Sequence, residues 1–422
     1  MFKQNRFKKI CLIIITQAIL IENIAGQEAK HLLKINYNPT DQSYFWLENN
    51  NDGKNIIKNE IEYNFKFSTK KTDYSIGISN AYSKNKDFSF SESFIKHNFS
   101  DNTFLRLGRY YRDFSKYLND NLSSGSMLVS NNARSMPKIG LVSSKKIKKK
   151  SNITFDFGLA HGFFDNNYYY PNAPYLHEKF IYINIRNNNY LISIGFVHEA
   201  MWGGSNWSGD LPSTFKDFTK VFIADDDQDF GIGGHTNALG NHLGIWDFYY
   251  EKNNGDQLLK LYYQHFFEDT SSLRFKNKTD GLWGIELENY IPDTNIVLEY
   301  LDTSHCCIDP PYQDDDYYGN YQYIGGWKYQ NNILGNPFVN NLPPLDEWVR
   351  NRELTQLVHL GIKGNIHSNY FEMKSSRKIN VHDSIKYSVS LGSNINQYID
   401  INIFIVSSHQ KNGVGFGLSY TF

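Results

Sequence analysis

The last ten residues, GVGFGLSYTF from Gly413 to Phe422, restrict the fold more than any other stretch. Val414, Phe416, Leu418, Tyr420 and Phe422 alternate with Gly413, Gly415, Gly417, Ser419 and Thr421. A period of two means a strand with one large apolar face and one small or polar face. Such a strand must cover that face with a protein core or with lipid. In a lipid-facing barrel the opposite face lines a polar interior, which suits Gly, Ser and Thr. A soluble chain ending this way would leave a row of aromatics on an open edge, which proteins avoid. The pattern predicts an all-β outer-membrane barrel, with Phe422 as the terminal residue that barrel-assembly machinery would read.

The other end agrees. Lys3, Arg6, Lys8 and Lys9 precede the apolar run Ile10 to Ile21, which is too short to span a bilayer as a helix, and Ala25-Gly26 offers a cleavage point. Residues 1–26 therefore read as an export signal and 27–422 as a single barrel domain. Beyond the signal no apolar stretch reaches the length of a membrane helix. Aromatic residues nevertheless make up 16% of the chain, while the mean hydropathy is −0.52. Aromatic girdles around a wet interior reconcile the two. A formal net charge of −1 gives no basis for nucleic-acid binding. With Cys11 in the signal, only Cys306 and Cys307 remain. Adjacent cysteines rarely pair with each other, so no disulfide framework or thiolate metal site is expected.

Period-two segments lie near 42–48, 56–67, 73–82, 87–98, 103–112, 137–145, 151–161, 176–186 and 190–199, then near 244–252, 257–266, 279–289, 293–302, 354–366, 369–378, 384–392, 397–408 and 413–422. That is about eighteen antiparallel strands. With the C-terminus on the periplasmic side, every second connection is a short turn. The alternate set holds all the long ones: 113–136, 162–175, 200–243, 267–278 and 303–353. Short periplasmic turns opposite long extracellular loops are the expected asymmetry. One strand resists the pattern, because Leu105 and Leu107 share a face with Arg109.

No catalytic motif stands out. His198-Glu199 lacks the second histidine of a zinc-protease helix, there is no Gly-x-Ser-x-Gly elbow, and His235 and His242 lack a third ligand. No cofactor or metal is expected, although the run Asp314–Asp316 offers oxygen ligands of the kind calcium takes. The long loops instead set aromatic rings among amides and carboxylates. One has Tyr168, Tyr169 and Tyr170, the next Trp202, Trp207 and Asp210, and another Asp314, Asp315, Asp316, Tyr317 and Trp327. Flat amphipathic rings beside hydrogen-bonding side chains suit the apolar faces and hydroxyl fringe of sugars. In the same region Ser213 can cap a helix carrying Phe215, Phe218 and Phe222, expected to fold against the barrel mouth or into the lumen. The competing reading is a substrate-selective porin with an open lumen lined by Arg106, Glu286, Glu288, Lys363 and Asp400.

Several segments carry a resemblance. SSGSMLVSNNARSMPKIG (Ser123 to Gly140), FVHEAMWGG (Phe196 to Gly204), LPSTFKDFTKVF, NALGNHLGIWDF (Asn237 to Phe248), YYQHFFED (Tyr262 to Asp269) and GGWKYQNNILGNPF (Gly325 to Phe338) together resemble the capsule-assembly Wzi family in its Bacteroidetes form. The resemblance implies an eighteen-stranded, non-enzymatic surface lectin that attaches capsular polysaccharide or exopolysaccharide to the cell's outer membrane. Enteric members carry a periplasmic helical bundle, for which Gln27 to Thr40 is too short. No motif of the family fixes the sugar-contacting residues, so the aromatic and acidic positions above stand on the loop reading alone.

Overall fold

The computed structural model describes residues 28–39, 42, 44–54, 59–82, 86–148, 151–232, 235–268, 270–305, 317–339, 353–408 and 411–422. Eighteen antiparallel strands close into a barrel. They are β1 (Glu28–Tyr37), β2 (Asn59–Ser68), β3 (Thr72–Tyr82), β4 (Lys86–Phe90 continued by Ser93–Ser100), β5 (Thr103–Tyr110) and β6 (Met136–Lys146). Then follow β7 (Ile153–Phe163), β8 (Tyr175–Arg186), β9 (Tyr190–Trp202), β10 (Asn241–Asn254), β11 (Gln257–Phe267) and β12 (Gly281–Glu288). The last are β13 (Thr294–Asp302), β14 (Gln356–Ile366), β15 (Asn369–Lys378), β16 (Lys386–Asn394), β17 (Ile399–Ser408) and β18 (Lys411–Thr421). Both pieces of β4 pair with β3, so they count as one interrupted strand.

Closure depends on the two ends. β18 pairs with β1 in the register Tyr37↔Phe416 to Leu32↔Thr421. His31 N donates to Phe422 O at 2.9 Å, and the two rings stack 4.8 Å apart. As the alternation requires, Val414, Phe416, Leu418 and Tyr420 face outward while Gly413, Gly415 and Gly417 are buried. The outward face continues around the wall through Ile76, Ile95, Leu107, Ile139, Leu141, Ile181, Ile183, Ile285, Leu298, Ile401 and Ile403, all large and exposed. Those side chains form the lipid belt of an outer-membrane-type barrel.

Two expectations need correction. Segment 42–48 is not the first strand. Phe45–Glu48 is a single helical turn, α1, and Trp46 Nε1 donates to Lys386 O at 3.1 Å inside the mouth. The true first strand is Glu28–Tyr37, whose polar residues Lys34 and Asn36 face the interior. A short apolar run such as FWL fits a strand or a buried turn equally well, and only its contacts decide. The second concerns Trp202, which ends β9 rather than standing in a loop.

The odd strand β5 also has an explanation. Gly108 has φ +136°, and a Cβ there would meet Ser93 O at 2.3 Å. Beyond it, Arg109 donates to the hydroxyl of buried Tyr329 at 2.8 Å and to Ser135 O at 3.2 Å. Arg106, on the other face, pairs with Asp113 at 3.0 Å.

The lumen is filled. Residues 111–135, after β5, fold back inside the barrel and bond to the inner wall of five consecutive strands. Ser115 Oγ meets Asp247 at 2.6 Å, Met127 N meets Gln264 Oε1 at 3.0 Å, and Asn119 Nδ2 meets Glu286 at 2.5 Å. Ser123 Oγ and Ser124 N both reach Glu299 at 2.6 Å, and Leu122 O meets His359 Nε2 at 2.6 Å. Gly361 allows this approach, since a Cβ there would lie 2.3 Å from Leu122 O. Residues 317–339 pack on the same segment. Trp327, fully buried, donates its Nε1–H to Leu128 O at 3.0 Å, and Asn336 Nδ2 reaches Gly125 O at 2.7 Å.

Among the described residues, four of the five charges of the channel reading, all but Glu288, have partners, Arg106 through Asp113 as above. Glu286 pairs with Lys260 at 2.7 Å, Lys363 lies 3.8 Å from Glu372, and Asp400 accepts from Tyr370 at 2.8 Å. Near the mouth, buried Lys54 sits 2.8 Å from both Glu60 and Glu62 and 3.4 Å from Asp52. Burial alone would lower its pKa, but the three carboxylates outweigh that and hold it above the ordinary value. A raised lysine contributes its stability fully below the unfolded pKa, so the contribution is intact at neutral pH. Lys54→Met strands two buried carboxylates and should cost about 3–5 kcal/mol, read as a lower unfolding temperature in detergent. A loss below about 0.5 kcal/mol would mean that the cluster is not held.

Candidate functional site

Three loop segments meet on the long-loop rim. The first is the β7–β8 connection, where Asn167 Oδ1 accepts from Tyr169 N at 2.9 Å and Tyr170 N at 3.2 Å. That side-chain-to-backbone turn fans the three tyrosines apart. The second follows β9 and makes a minimal hairpin, Ser205 paired to Asp210 and Asn206 to Gly209. Its tip carries Trp207. Ser205 N donates to Asn172 O at 3.1 Å and Ser205 Oγ accepts from Asn172 N at 2.9 Å, so the first two segments are held together at this pair. The third is 320–323, where Gln322 O accepts from Asn206 Nδ2 at 3.1 Å.

These contacts build an exposed aromatic cluster. Tyr168 is 78% exposed and Trp207 60%. The Trp207 ring lies edge-on to Tyr168 at 5.4 Å and stacks beside Tyr169 at 6.0 Å, and its Nε1–H is spent on Tyr168 O at 3.1 Å. The rings are therefore fixed before any ligand arrives, which lowers the ordering cost of binding. Asp210, exposed, and Asn172, at 3.5 Å from it, offer acceptors and donors beside the rings.

The other expected positions are placed differently. Tyr170 is buried beneath the cluster against Tyr323, whose hydroxyl reaches Gly203 O at 3.3 Å. Burial pushes both phenols above their ordinary pKa. Trp202 is buried between Tyr175 and Phe218, and Trp327 belongs to the filling of the lumen. Tyr317 is buried and donates to Asp280 at 2.8 Å. Asp314, Asp315 and Asp316, like Cys306, Cys307 and residues 1–26, lie outside the described residues. Of the expected positions, Tyr168, Tyr169, Trp207 and Asp210 come together at one exposed place.

One constellation escaped the sequence reading. Asp280, Asp302 and His305 place a ligand atom each within 4.8 Å of one another, the two carboxylates buried. Burial pushes Asp280 up to about 6 despite donors from His305 N and Tyr317. Asp280 precedes β12, Asp302 ends β13 and His305 follows it, so the carboxylates are over twenty residues apart and carry no spacing signal. A Ser–His pair also exists, Ser376 Oγ to His359 Nδ1 at 2.6 Å. It is buried beneath the filling, and the other ring nitrogen is taken by Leu122 O. His198 and His242 are bonded to each other at 2.9 Å; the side chain of His235 is outside the described set.

The family described as capsule assembly protein Wzi matches the chain over residues 41–343. No curated protein matches it at a significant level. Among solved structures the chain is similar to OccK5 (OpdH) of Pseudomonas aeruginosa, with 9% identity, TM-score 0.46 and coverage of 94% of this chain and 97% of that one. A triple mutant of the Rhodopseudomonas blastica porin gives 8%, 0.38, 94% and 99%. A loop-deletion mutant of Vibrio cholerae OmpT gives 9%, 0.32, 94% and 99%. The strand pairing itself, not these distant likenesses, carries the barrel.

Proposed function

The chain belongs to the capsule assembly protein Wzi family, and from that premise we propose that it is a non-enzymatic surface lectin holding capsular polysaccharide or exopolysaccharide on the cell. The observation that supports this most is the pairing of a filled lumen with a prefixed ring cluster, Tyr168, Tyr169 and Trp207, on the rim the polymer would meet. A sugar laid across those rings covers its apolar C–H face, and Asp210 and Asn172 take its hydroxyls. One such contact is weak. A repeating polymer bound by many barrels at once gains avidity without any new contact. Tyr170 acts in this reading as the packed base of the cluster, Trp202 as packing beneath helix Phe215–Ile223, and Trp327 and Tyr317 as part of the filling. An N-terminal export signal and recognition of Phe422 by the barrel-assembly machinery complete the proposal.

The test is deletion of the gene with separate assay of cell-bound and released polymer. The expected result is unchanged total polymer with most of it shed into the medium. Unchanged retention together with reduced uptake of a solute would instead support the channel reading.

A further inference from the structure

The helix α2, Phe215–Ile223, lies on the outside of the barrel. Thr214, not the expected Ser213, caps it, with Asp217 closing the capping box, and Ala224 ends it in the left-handed conformation at φ 54°. Its inner face is Val221, fully buried, with Phe218 and part of Phe222. Phe218 packs on His161, His177 and Trp202 at 5.0, 5.5 and 5.4 Å. Phe222 packs on His177 at 5.2 Å, and Lys179 Nζ bonds Phe222 O. Along β7, His161 shares a face with exposed Phe157, Leu159 and Phe163. Along β8, His177 and Lys179 share one with exposed Ile181 and Ile183. The wall beneath α2 is thus the same side that faces lipid lower down. The expected place in the mouth or lumen is not where the helix sits.

That part of the wall is unfit for lipid. His161, His177 and His242 fall in one row across β7, β8 and β10, with His198 one step below. Neither ring nitrogen of buried His177 has a partner, nor does Nδ1 of His198. Bare, the patch would put imidazoles and an ammonium against the acyl boundary, at a cost of several kcal/mol in order of magnitude. The helix covers it and shows a different surface. Phe215, Thr219 and Ile223, at i, i+4 and i+8, form one outward stripe, with Phe215 81% and Ile223 68% exposed. Lys216 and Lys220 flank the stripe on one side and Phe222 on the other. An apolar stripe with lysines along its margin is the pattern of a helix lying in a membrane interface.

The height agrees. Phe163, Tyr175 and Trp202 are level in the register, and Phe163 is 55% exposed beside the helix. The stripe therefore continues the lipid belt at its upper margin.

We infer that α2 is an interfacial helix, immersed at the boundary of acyl chains and phosphate headgroups in the outer leaflet, with Phe215 and Ile223 in the apolar layer and Lys216 toward the headgroups. The inference is independent of the polysaccharide reading.

The experiment is site-directed spin labelling in vesicles of phosphatidylethanolamine and phosphatidylglycerol, with Cys11→Ser, Cys306→Ser and Cys307→Ser as background. Labels at Ile223→Cys and Phe215→Cys are compared with a belt reference, Phe416→Cys, and a water reference, Asn166→Cys. The expected ratio of oxygen to nickel-chelate accessibility is severalfold above the water reference and approaches the belt reference. A ratio equal to the water reference overturns the inference. So does exclusion of both reagents, which would mean that another protein surface covers the stripe. Should a label at either apolar position prevent folding, Thr219→Cys between them reads the same stripe.

Discussion

Cells carrying Trp207→Ala together with Tyr168→Ala are expected to make a folded barrel and yet shed their polymer. The two rings expose most of their surface, so removing them opens no cavity and should change stability by less than about 0.5 kcal/mol. Each ring contact with a sugar contributes on the order of 0.5–1.5 kcal/mol. Losing both therefore lowers the affinity of a single site by roughly 5- to 150-fold by the conversion of 1.4 kcal/mol per decade. A polymer held by many sites multiplies that loss, and the bound fraction should collapse. The readout is the ratio of cell-bound to released polymer at equal barrel level in the outer membrane. Retention within twofold of the parent, with the protein present, would remove the cluster from the binding role. Trp202 is a poor choice for this test, because truncating a buried ring between Tyr175 and Phe218 confounds binding with packing.

The second large effect concerns the filling of the lumen. Glu299 accepts from Ser123 Oγ, Ser124 N and Tyr262 OH, each at 2.6 Å. Glu299→Ala leaves three buried donors without an acceptor, at about 1–3 kcal/mol each, and removes the anchor at the middle of the 111–135 segment. The parent protein should show little single-channel conductance in planar bilayers. The variant should show discrete openings, with earlier protease cleavage within 111–135. A parent that conducts as freely as a general porin would refute the filled lumen, whatever the variant does. Glu299→Gln keeps an acceptor and should fall between the two.

Period-two patterning and turn chemistry determined the barrel, its strand number, the side of the long loops and the lipid face of the last strand. These are local properties, set by which side chains alternate along one strand. The same locality explains the failure at the first strand. FWL at Phe45–Leu47 looks like Glu28–Tyr37 until Tyr37 meets Phe416, a partner nearly four hundred residues away. Helix α2 was legible in LPSTFKDFTKVF, Leu211 to Phe222, with Ser213 as the expected cap, one residue before the actual cap Thr214; its side of the wall was not, and follows from the outward parity of His161, His177 and Trp202. The cluster was legible in kind: rings beside Asp and Asn. Only the fold separated Tyr168 and Trp207, which reach solvent, from Tyr170, Trp202 and Trp327, which do not. Backbone bonds such as Ser205 to Asn172, and the return of residues 111–135 into the lumen, have no period to betray them. Strand identity is written in neighbours along the chain; exposure and assembly of the site are written in contacts between loops, and those exist only once the barrel has closed.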